Sequence, residues 1–548
     1  MVNFSVKNRE PSLRSLQSEP FDLLIIGGGI TGAGIALDAT TRGLDTILFE
    51  MQDFASGTSS RSTKLIHGGL RYLKQYEVKL VAEVGKERAI VYENGPHVTT
   101  PEWMLLPIYK GGTFGRFTTS IGLRVYDFLA GVKFDERRSM LTADETLLKE
   151  PLLKKEGLLG GGYYVEYRTD DARLTIEVMK KAVEKGAKAF NYMKVDSFIY
   201  ENGKIIGVNV KDLLTDQEYQ VFSKKIINAT GPWVDTLREK DGSKQGKRLR
   251  LSKGVHIVID QGKFPLKQAV YFDTPDGRMV FAIPRAGKTY VGTTDTFYDE
   301  DITNPTMNSE DLAYLLSTIA FMFPEIQLNE EDIESSWAGV RPLIFEEGKD
   351  PSEISRKDEI WQSSSGLITI AGGKLTGYRK MAELTVDLVT NLFKQEGFEV
   401  MLGCQTRNLP ISGGDVGGSH GYGPFVFDKT KELMQLGLPQ QSAEKLVRLY
   451  GSNIDSVIQY FHSFTEEIGL PVEIYASIQY AIDHEMVVKP IDYFIRRTGA
   501  LLFDIQWVLE WKEKIISFMA EELIWPEETK LLYTKELDIH LDSVKPNH

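Results

Sequence analysis

The feature that most constrains this 548-residue chain is a strand–glycine turn–helix–strand unit at residues 21–50. Its apolar start predicts a buried strand, and the next six residues, Gly-Gly-Gly-Ile-Thr-Gly, form a G-x-G-x-x-G turn. A helical pattern follows to Arg42-Gly43, and a second strand pattern leads to Glu50. Such glycines let the backbone approach a pyrophosphate, a helix N-terminus offers it N–H groups, and the acid can bind a ribose. The unit therefore predicts dinucleotide binding through Gly27, Gly29, Gly32 and Glu50.

Position 50 also narrows the choice of dinucleotide. An acidic residue there favours a free ribose hydroxyl, and therefore FAD or NAD rather than NADP. The alternative is a plain glycine-rich turn, since a G-x-G-x-x-G pattern by itself is common. The strand before the turn, the helix after it and the distance to Glu50 together favour dinucleotide binding. Redox chemistry is then the leading interpretation of function.

Composition excludes several classes of function. The net charge of −13 argues against nucleic acid as a partner, because phosphate backbones bind basic surfaces. Cys404 is the single cysteine, so we expect no disulfide, no cysteine-rich zinc site and no bound metal. The first 20 residues are polar, and no apolar run is long enough to span a bilayer. We therefore expect a cytoplasmic protein, at most peripheral on the inner face of the membrane.

Two later segments are expected to meet the same dinucleotide. An apolar strand pattern stops at Ala229-Thr230-Gly231, and ligands of doubly wound sheets bind beyond the carboxyl ends of the strands. An ordinary exit from strand to loop is the equal alternative there. A second strand–glycine–helix junction occurs at residues 366–377, where Gly372-Gly373-Lys374 precede a helical pattern. A helix beginning near Leu375 would direct its positive end at the ligand, although a plain helix start explains the same pattern.

The order of these patterns predicts an α/β chain (α+β overall), with a Rossmann-like domain, an inserted antiparallel sheet and a C-terminal helical domain. Residues 254–294 are β-rich, and residues 413–424 are interpreted as a glycine-rich linker ending at a proline. Beyond it the chain is mainly helical, with an amphipathic helix at 504–523. The predicted ranges are 18–95, 168–240 and 335–400 for the dinucleotide domain, 96–167 and 241–334 for a substrate region, and 405–548 for the helical domain.

Four motifs follow one another along residues 20–400. They are Ile26-Gly27-Gly28-Gly29 with Gly32-Ala33-Gly34, Ala36, Asp38 and Arg42-Gly43; His67-Gly68-Gly69-Leu70-Arg71-Tyr72-Leu73; Gly339-Val340-Arg341-Pro342-Leu343; and Gly372-Gly373-Lys374 with Gly377-Tyr378-Arg379 and Ala382. Together they resemble the motifs of the FAD-dependent glycerol-3-phosphate dehydrogenases, most of all those of the bacterial, quinone-linked branch. The C-terminal part lacks the calcium-loop pattern of the mitochondrial relatives.

The resemblance implies a flavoenzyme that oxidises sn-glycerol 3-phosphate to dihydroxyacetone phosphate with FAD as its cofactor. A membrane quinone is the expected electron acceptor, and a homodimer is a further expectation. One alternative is an oxidase on the same scaffold that passes electrons to oxygen. Another is an amine, amino-acid or hydroxy-acid oxidase, although a group of basic residues suits a phosphate better than an amine.

The resemblance also assigns site residues. The expected cofactor-binding residues, besides those of the first unit, are Ser59, Ser60, Thr230, Gly231, Gly373, Lys374, Leu375 and Thr376. The expected substrate-binding residues are Arg71, Tyr72, Arg356 and Lys374, which would largely bind the phosphate. Arg341 is expected near the flavin, where it would polarise the developing ketone.

Alcohol oxidation needs a base, and His256 is the choice. It lies in a β-pattern among apolar residues, where a lone histidine is also often structural. His67 is the second candidate, with the alternative role of bracing the flavin loop.

A basic and aromatic stretch at residues 108–134 is unusual in so acidic a chain. Lys110, Arg116, Arg124 and Lys133 stand there against a single acid, Asp127, with aromatic and aliphatic residues between them. Such a stretch could rest on an anionic membrane and admit a quinone. The alternative is an amphipathic helix packed on its own domain.

Overall fold

The computed structural model describes residues 4–14, 16, 19–67, 78–112, 138–346, 358–398 and 402–546. The described strands form two sheets, one of eight strands and one of ten, and the chain after residue 404 is helical. In the described part of the chain, no helix combines the length and the apolarity that crossing a bilayer demands.

The first sheet, called the nucleotide sheet from here on, has a parallel centre. Its strands follow the order Glu359–Gln362, Ile368–Ala371, Glu218–Asn228, Phe21–Ile26, Thr46–Phe49 and Lys188–Phe190, and the hairpin Met193–Glu201 with Lys204–Asp212 extends Glu218–Asn228. Phe21–Ile26 pairs in parallel with both of its neighbours. Because parallel strands end at the same edge, Gly27, Glu50, Ala229 and Gly372 all follow strands that stop there.

Helices cover the nucleotide sheet because its strands are apolar on both faces. Leu23, Leu24 and Ile25 are fully buried. The helix Ile30–Thr41 packs against both Asp171–Glu184 and Tyr378–Gln395 in the largest apolar cluster. Small residues permit this approach, since a Cβ on Gly34 would lie 3.2 Å from that of Ala382.

The second sheet is mostly antiparallel, as the sequence predicts for the inserted region. Its strands are Leu65–Ile66, Thr99–Tyr109, Ser139–Leu141, Leu158–Thr169, Lys247–Asp260, Ala269–Asp273, Met279–Arg285, Lys288–Gly292, Thr296–Phe297 and Ile333–Glu346. The last of these pairs with Lys247–Asp260 along almost its whole length. Residues 335–346 therefore belong to this second sheet, whereas the predicted range 335–400 assigned them to the dinucleotide domain. The helix Ser309–Met322 packs on the apolar cluster beneath these strands.

The C-terminal region consists of short and medium helices. They are Gly418–Gln435, Gln440–Tyr450, Ile454–Gln459, Val472–His484, Asp492–Arg497, Ala500–Phe503, Ile505–Glu522 and Glu527–Ser543, of which Asp492–Arg497 is a π-helix. The amphipathic helix predicted at 504–523 is present as Ile505–Glu522, with Leu509 turned to solvent. The remaining described α-helices are Arg9–Arg14, Val78–Asn94, Ala143–Lys149 and Val234–Lys240.

The predicted glycine-rich linker is only partly a linker. The helix Gly418–Gln435 begins inside it and includes Pro424. Buried Tyr422 and Val426 pack in the apolar cluster of the C-terminal region. Tertiary burial of this face has outweighed the low helix propensity of glycine and proline.

Candidate active site

A cavity of about 840 Å³ opens at the carboxyl edge of the nucleotide sheet. Most predicted cofactor residues line it: Gly27, Gly29, Glu50, Ser59, Ser60, Thr230, Gly231, Gly373, Lys374 and Leu375. Gly32 and Thr376 do not lie on this wall. Both glycine junctions, which are more than three hundred residues apart in the sequence, thus meet at one cavity.

The backbone of the first glycine turn leaves no room for a Cβ atom at Gly27 or Gly32. Gly27 has a φ of +113°, and a Cβ on it would lie 2.5 Å from the carbonyl oxygen of Ala229. A Cβ on Gly32 would overlap the carbonyl oxygen of Gly27. Gly32 therefore acts through the close packing of helix on turn, which explains why it does not line the cavity.

Glu50 closes this turn from the second strand. Its carboxylate accepts hydrogen bonds from the backbone N–H groups of Gly28, at 2.7 Å, and Gln52, at 2.8 Å. Burial raises the pKa of Glu50 despite these two donors. Each oxygen retains a lone pair, which the predicted hydrogen bond to a ribose hydroxyl would need.

The serine-rich loop at residues 56–62 is anchored at several points. Ser59 Oγ accepts a hydrogen bond of 2.9 Å from the N–H of Ile30, in the first turn of the helix. Thr58 Oγ1 donates to the carbonyl of Val340 at 2.7 Å. The buried pair Lys64–Asp171, at 2.7 Å, holds the end of the loop. These contacts place Ser59 and Ser60 against the start of the helix.

The charges on the described wall of the cavity favour an anionic ligand. Six lysines and arginines line it against three acidic residues, in a chain whose net charge is −13. The six are Arg61, Lys194, Lys240, Lys374, Lys489 and Arg496. Together with the glycine turn and Glu50, this excess of positive charge fits a dinucleotide with its pyrophosphate.

His256 lies just behind this cavity. Its ring is buried and stacks on Trp337, which lines the cavity, with centroids 4.7 Å apart. Its Nε2 lies 3.0 Å from Thr63 Oγ1, and Nδ1 has no hydrogen-bond partner among the described residues. Burial, with the nearby charges of Arg341 and Lys64, holds the pKa of His256 well below its usual value. The imidazole is therefore neutral and can accept a proton.

Arg341 lies on the same face of the second sheet as His256. Residues Ser252, Gly254 and His256 face Arg341, Gly339 and Trp337 in the antiparallel pair. The absence of a side chain at Gly254 makes room for the guanidinium of Arg341, which donates to Thr293 Oγ1 at 2.9 Å. One third of the Arg341 side chain remains exposed.

His67 lies near the second glycine junction. Burial and the positive charge of Lys374 lower the pKa of His67 to about 3. The carbonyl of His67 accepts a hydrogen bond from Thr376 Oγ1 at 3.2 Å, in the short turn Leu375–Gly377 that precedes the helix Tyr378–Gln395. Each candidate base thus lies within reach of the charge of one predicted cation, Arg341 for His256 and Lys374 for His67.

Three predicted substrate residues lie outside the described residues. They are Arg71, Tyr72 and Arg356, and residues 113–134 of the basic stretch also lie outside. Their roles stay predictions.

Sequence reasoning missed several residues of the cavity wall. Arg61 and Trp337 line it, and so do Arg496 and His540 from the C-terminal region. Arg61 lies in the serine-rich loop at residues 56–62, but the sequence pattern predicted no role for it. The one available signal in the sequence was the adjacent pair Arg496-Arg497, which follows Asp492-Tyr-Phe-Ile. Adjacent cations in a buried segment need partners, because burying an unpaired charge is costly.

Comparison with known proteins finds relatives that match almost the whole chain. A profile described as FAD dependent oxidoreductase matches residues 22–379, and one described as the C-terminal domain of alpha-glycerophosphate oxidase matches residues 404–530. The aerobic glycerol-3-phosphate dehydrogenase of Bacillus subtilis is 64% identical over 547 residues, 99% of both chains. That of Staphylococcus haemolyticus is 58% identical, over 98% of this chain and 97% of the relative. The solved glycerol-3-phosphate dehydrogenase from Bacillus halodurans, complexed with FAD, is 52% identical with a TM-score of 0.86, over 99% of this chain and 98% of that chain.

Proposed function

Because the chain belongs to the aerobic glycerol-3-phosphate dehydrogenase family of FAD-dependent oxidoreductases, we propose which residues carry out each step of the reaction and which acceptor takes the electrons. Its cofactor is FAD, and it oxidises sn-glycerol 3-phosphate to dihydroxyacetone phosphate. The predictions of this cofactor and this activity from the sequence are confirmed. The acceptor, the membrane contact and the individual residue roles are proposals.

The observation that carries the proposal is the positive charge of a cavity built on two glycine junctions. The backbone at Gly27 and Gly29, with Ser59, Ser60 and Glu50, would bind the adenosine diphosphate half of FAD. Thr230, Gly231 and the turn after Gly372 would bind the flavin half. When bound, FAD accepts a hydride from the carbinol carbon of the substrate.

Lys374 is proposed to bind the substrate phosphate. It lines the cavity at the second glycine junction, near His67. The phosphate carries roughly −1.5 to −2 charges at neutral pH and therefore needs several cationic partners. Arg71, Tyr72 and Arg356 are proposed to complete this set.

His256 is proposed to take the hydroxyl proton of the substrate. Its depressed pKa keeps the ring neutral, and Nδ1, without a partner in the described ranges, is the proposed acceptor atom. Arg341, on the same sheet face, would stabilise the charge that develops on the carbonyl oxygen. Trp337 keeps bulk water away from the ring of His256.

A quinone is proposed as the electron acceptor, with oxygen as the alternative. The experiment is an anaerobic titration of the holoenzyme with sn-glycerol 3-phosphate, which should bleach the flavin absorbance, while glycerol, which lacks the phosphate, should not. The reduced enzyme is then mixed either with a short-chain ubiquinone analogue or with oxygen. Fast reoxidation by the quinone without hydrogen peroxide supports the proposal. Stoichiometric hydrogen peroxide with slow quinone reduction would assign an oxidase instead.

Contact with an anionic membrane is the accompanying proposal, because a membrane quinone must reach the reduced flavin. It rests on the basic and aromatic residues predicted at 108–134, of which Lys110 is described as exposed. Sedimentation with vesicles containing phosphatidylglycerol at low salt should carry the protein down, and vesicles of phosphatidylcholine alone should not. Equal recovery in both supernatants would remove the membrane proposal. A homodimer also stays a proposal, to be tested by light scattering.

A further inference from the structure

The C-terminal region reaches the wall of the cofactor cavity. Arg496, on the π-helix Asp492–Arg497, lines the cavity, and so does His540 on the last helix. The wider turn of the π-helix lets the neighbours Arg496 and Arg497 both contact the carboxylate of Asp53, at 2.5 and 2.7 Å. Asp53 follows Glu50 by three residues, so this contact joins the C-terminal region to the loop of the predicted ribose acid.

The two arginines of this pair occupy different positions. Arg497 is fully buried, and its two terminal nitrogens contact both oxygens of Asp53 at 2.7 and 3.0 Å. Arg496 contacts Asp53 through Nε and Asp492 through a terminal nitrogen. Arg496 therefore lines the cavity with its guanidinium held in place by two carboxylates, which orients it for a ligand there.

Arg61 lies on the same cavity wall and carries the same charge. Its guanidinium donates a long hydrogen bond of 3.4 Å to the carbonyl of Thr303, and no carboxylate lies within ion-pair distance of it in the described part of the chain. Burial and the charge of Arg496 lower the pKa of Arg61 to about 10, although Asp301 acts in the opposite direction. Two like charges on one cavity wall repel each other, and an anion between them would relieve this repulsion.

The position of the two arginines corresponds to the middle of a dinucleotide. Arg496 contacts Asp53, which follows Glu50, at the ribose end, by three residues. Arg61 follows by two residues the serine that bonds the N–H of Ile30, at the start of the helix. In Rossmann-like domains the pyrophosphate lies between these two points.

We propose that Arg496 and Arg61, one from the C-terminal helical domain and one from the nucleotide domain, clamp the pyrophosphate of FAD between them. The C-terminal domain thereby completes the cofactor site and does more than pack against it. The proposal rests on FAD as the cofactor. Loss of either guanidinium removes charge-assisted hydrogen bonds to a phosphate, so the Kd for FAD should rise roughly 10- to 100-fold.

The test compares ligands with and without phosphate on the full-length apoprotein. Arg496→Gln and Arg61→Gln are titrated by calorimetry with FAD, ADP and adenosine. The control is Arg42→Gln, which also removes a buried arginine paired with an aspartate, at the far end of the helix from the cavity. A clamp predicts weaker FAD and ADP binding in both variants, unchanged adenosine binding, and no such loss in the control.

Three outcomes would overturn the clamp. ADP affinity could stay normal in either variant, ADP and adenosine could weaken by the same factor, or the control could lose ADP as strongly. A purely structural role of Arg496 predicts the second outcome. If a variant fails to fold, Arg496→Lys and Arg61→Lys, which retain the charge without the planar fork, replace it and should show an intermediate loss of ADP. Bleaching of the wild-type flavin by sn-glycerol 3-phosphate tests the activity separately, so the clamp and the activity can fail independently of each other.

Discussion

The imidazole of His256 stacks on the indole of Trp337, with ring centroids 4.7 Å apart and planes within 8° of each other. The two residues face one another across the antiparallel pair Lys247–Asp260 and Ile333–Glu346. Trp337 Nε1 donates to the carbonyl of Ser62, at the end of the serine-rich cofactor loop. The stack therefore connects the proposed base to the cofactor loop through one rigid aromatic side chain, so both hold a constant geometry relative to the cavity.

His256→Ala should slow flavin reduction by sn-glycerol 3-phosphate by roughly 10²- to 10⁴-fold while FAD stays bound, because the proton acceptor is lost. Anaerobic stopped-flow absorbance measures this rate. Thr63→Val is the matched control, since it removes the hydroxyl 3.0 Å from Nε2 and keeps the ring, and it should lose much less. Near-normal flavin reduction in His256→Ala would transfer the role to His67, and His67→Ala would then be the variant that loses activity.

Gly32→Ala should destabilise the protein by about 1–3 kcal/mol and lower its FAD content, because the new Cβ overlaps the carbonyl of Gly27. Gly377→Ala, at the second glycine junction, is the control, since nothing lies within 4 Å of its Cβ and its φ is −90°. Flavin absorbance per protein and thermal midpoints measure both effects. Equal values for the two variants would mean that the turn tolerates the methyl group.

Arg497→Ala should lower the free energy of unfolding by about 3–5 kcal/mol, because a buried network of charges loses a member. Urea should therefore unfold this variant at lower concentrations. Arg497 contacts Asp53, and Glu485 close by pairs with Arg173 and Lys180. Arg448→Ala removes a half-exposed pair with Glu444 and should change stability by no more than about 1 kcal/mol. A loss in Arg497→Ala no greater than in this control would show that the network contributes little.

His97 should make stability fall in mild acid. It is buried, and both ring nitrogens lack a hydrogen-bond partner in the described ranges. Burial, with the charges of Arg173 and Lys180, lowers its pKa to about 3 from an ordinary 6.5. Between these pH values the unfolded chain binds a proton that the folded protein does not, so unfolding becomes easier as pH falls, while above pH 6.5 the two states are alike.

Thermal midpoints between pH 7.5 and 5 test this prediction. His97→Leu removes the titration and should show a smaller drop than the wild type. The exposed His462 offers the control variant His462→Gln, which should follow the wild type. An identical drop in His97→Leu would assign the acid sensitivity to other groups, such as His67 and His256.

Local patterns predicted the nucleotide unit well. The strand Phe21–Ile26, the turn after it and the helix Ile30–Thr41 are consecutive in the sequence, so hydrophobic periodicity and glycine placement specify them directly. The same reasoning located the helix Ile505–Glu522. It missed the helical start at Gly418, because there distant packing partners, and not local propensity, stabilise the helix.

The sequence by itself determined that a dinucleotide binds at the ends of parallel strands, since two glycine junctions and Glu50 each follow a strand. Only the tertiary structure decided that Arg496 and Arg61 line the same cavity and that Trp337 stacks on His256. Backbone preferences act over a few residues and are legible in sequence. The meeting of side chains from separate domains depends instead on how whole elements pack, and single-chain patterns carry no measure of that distance.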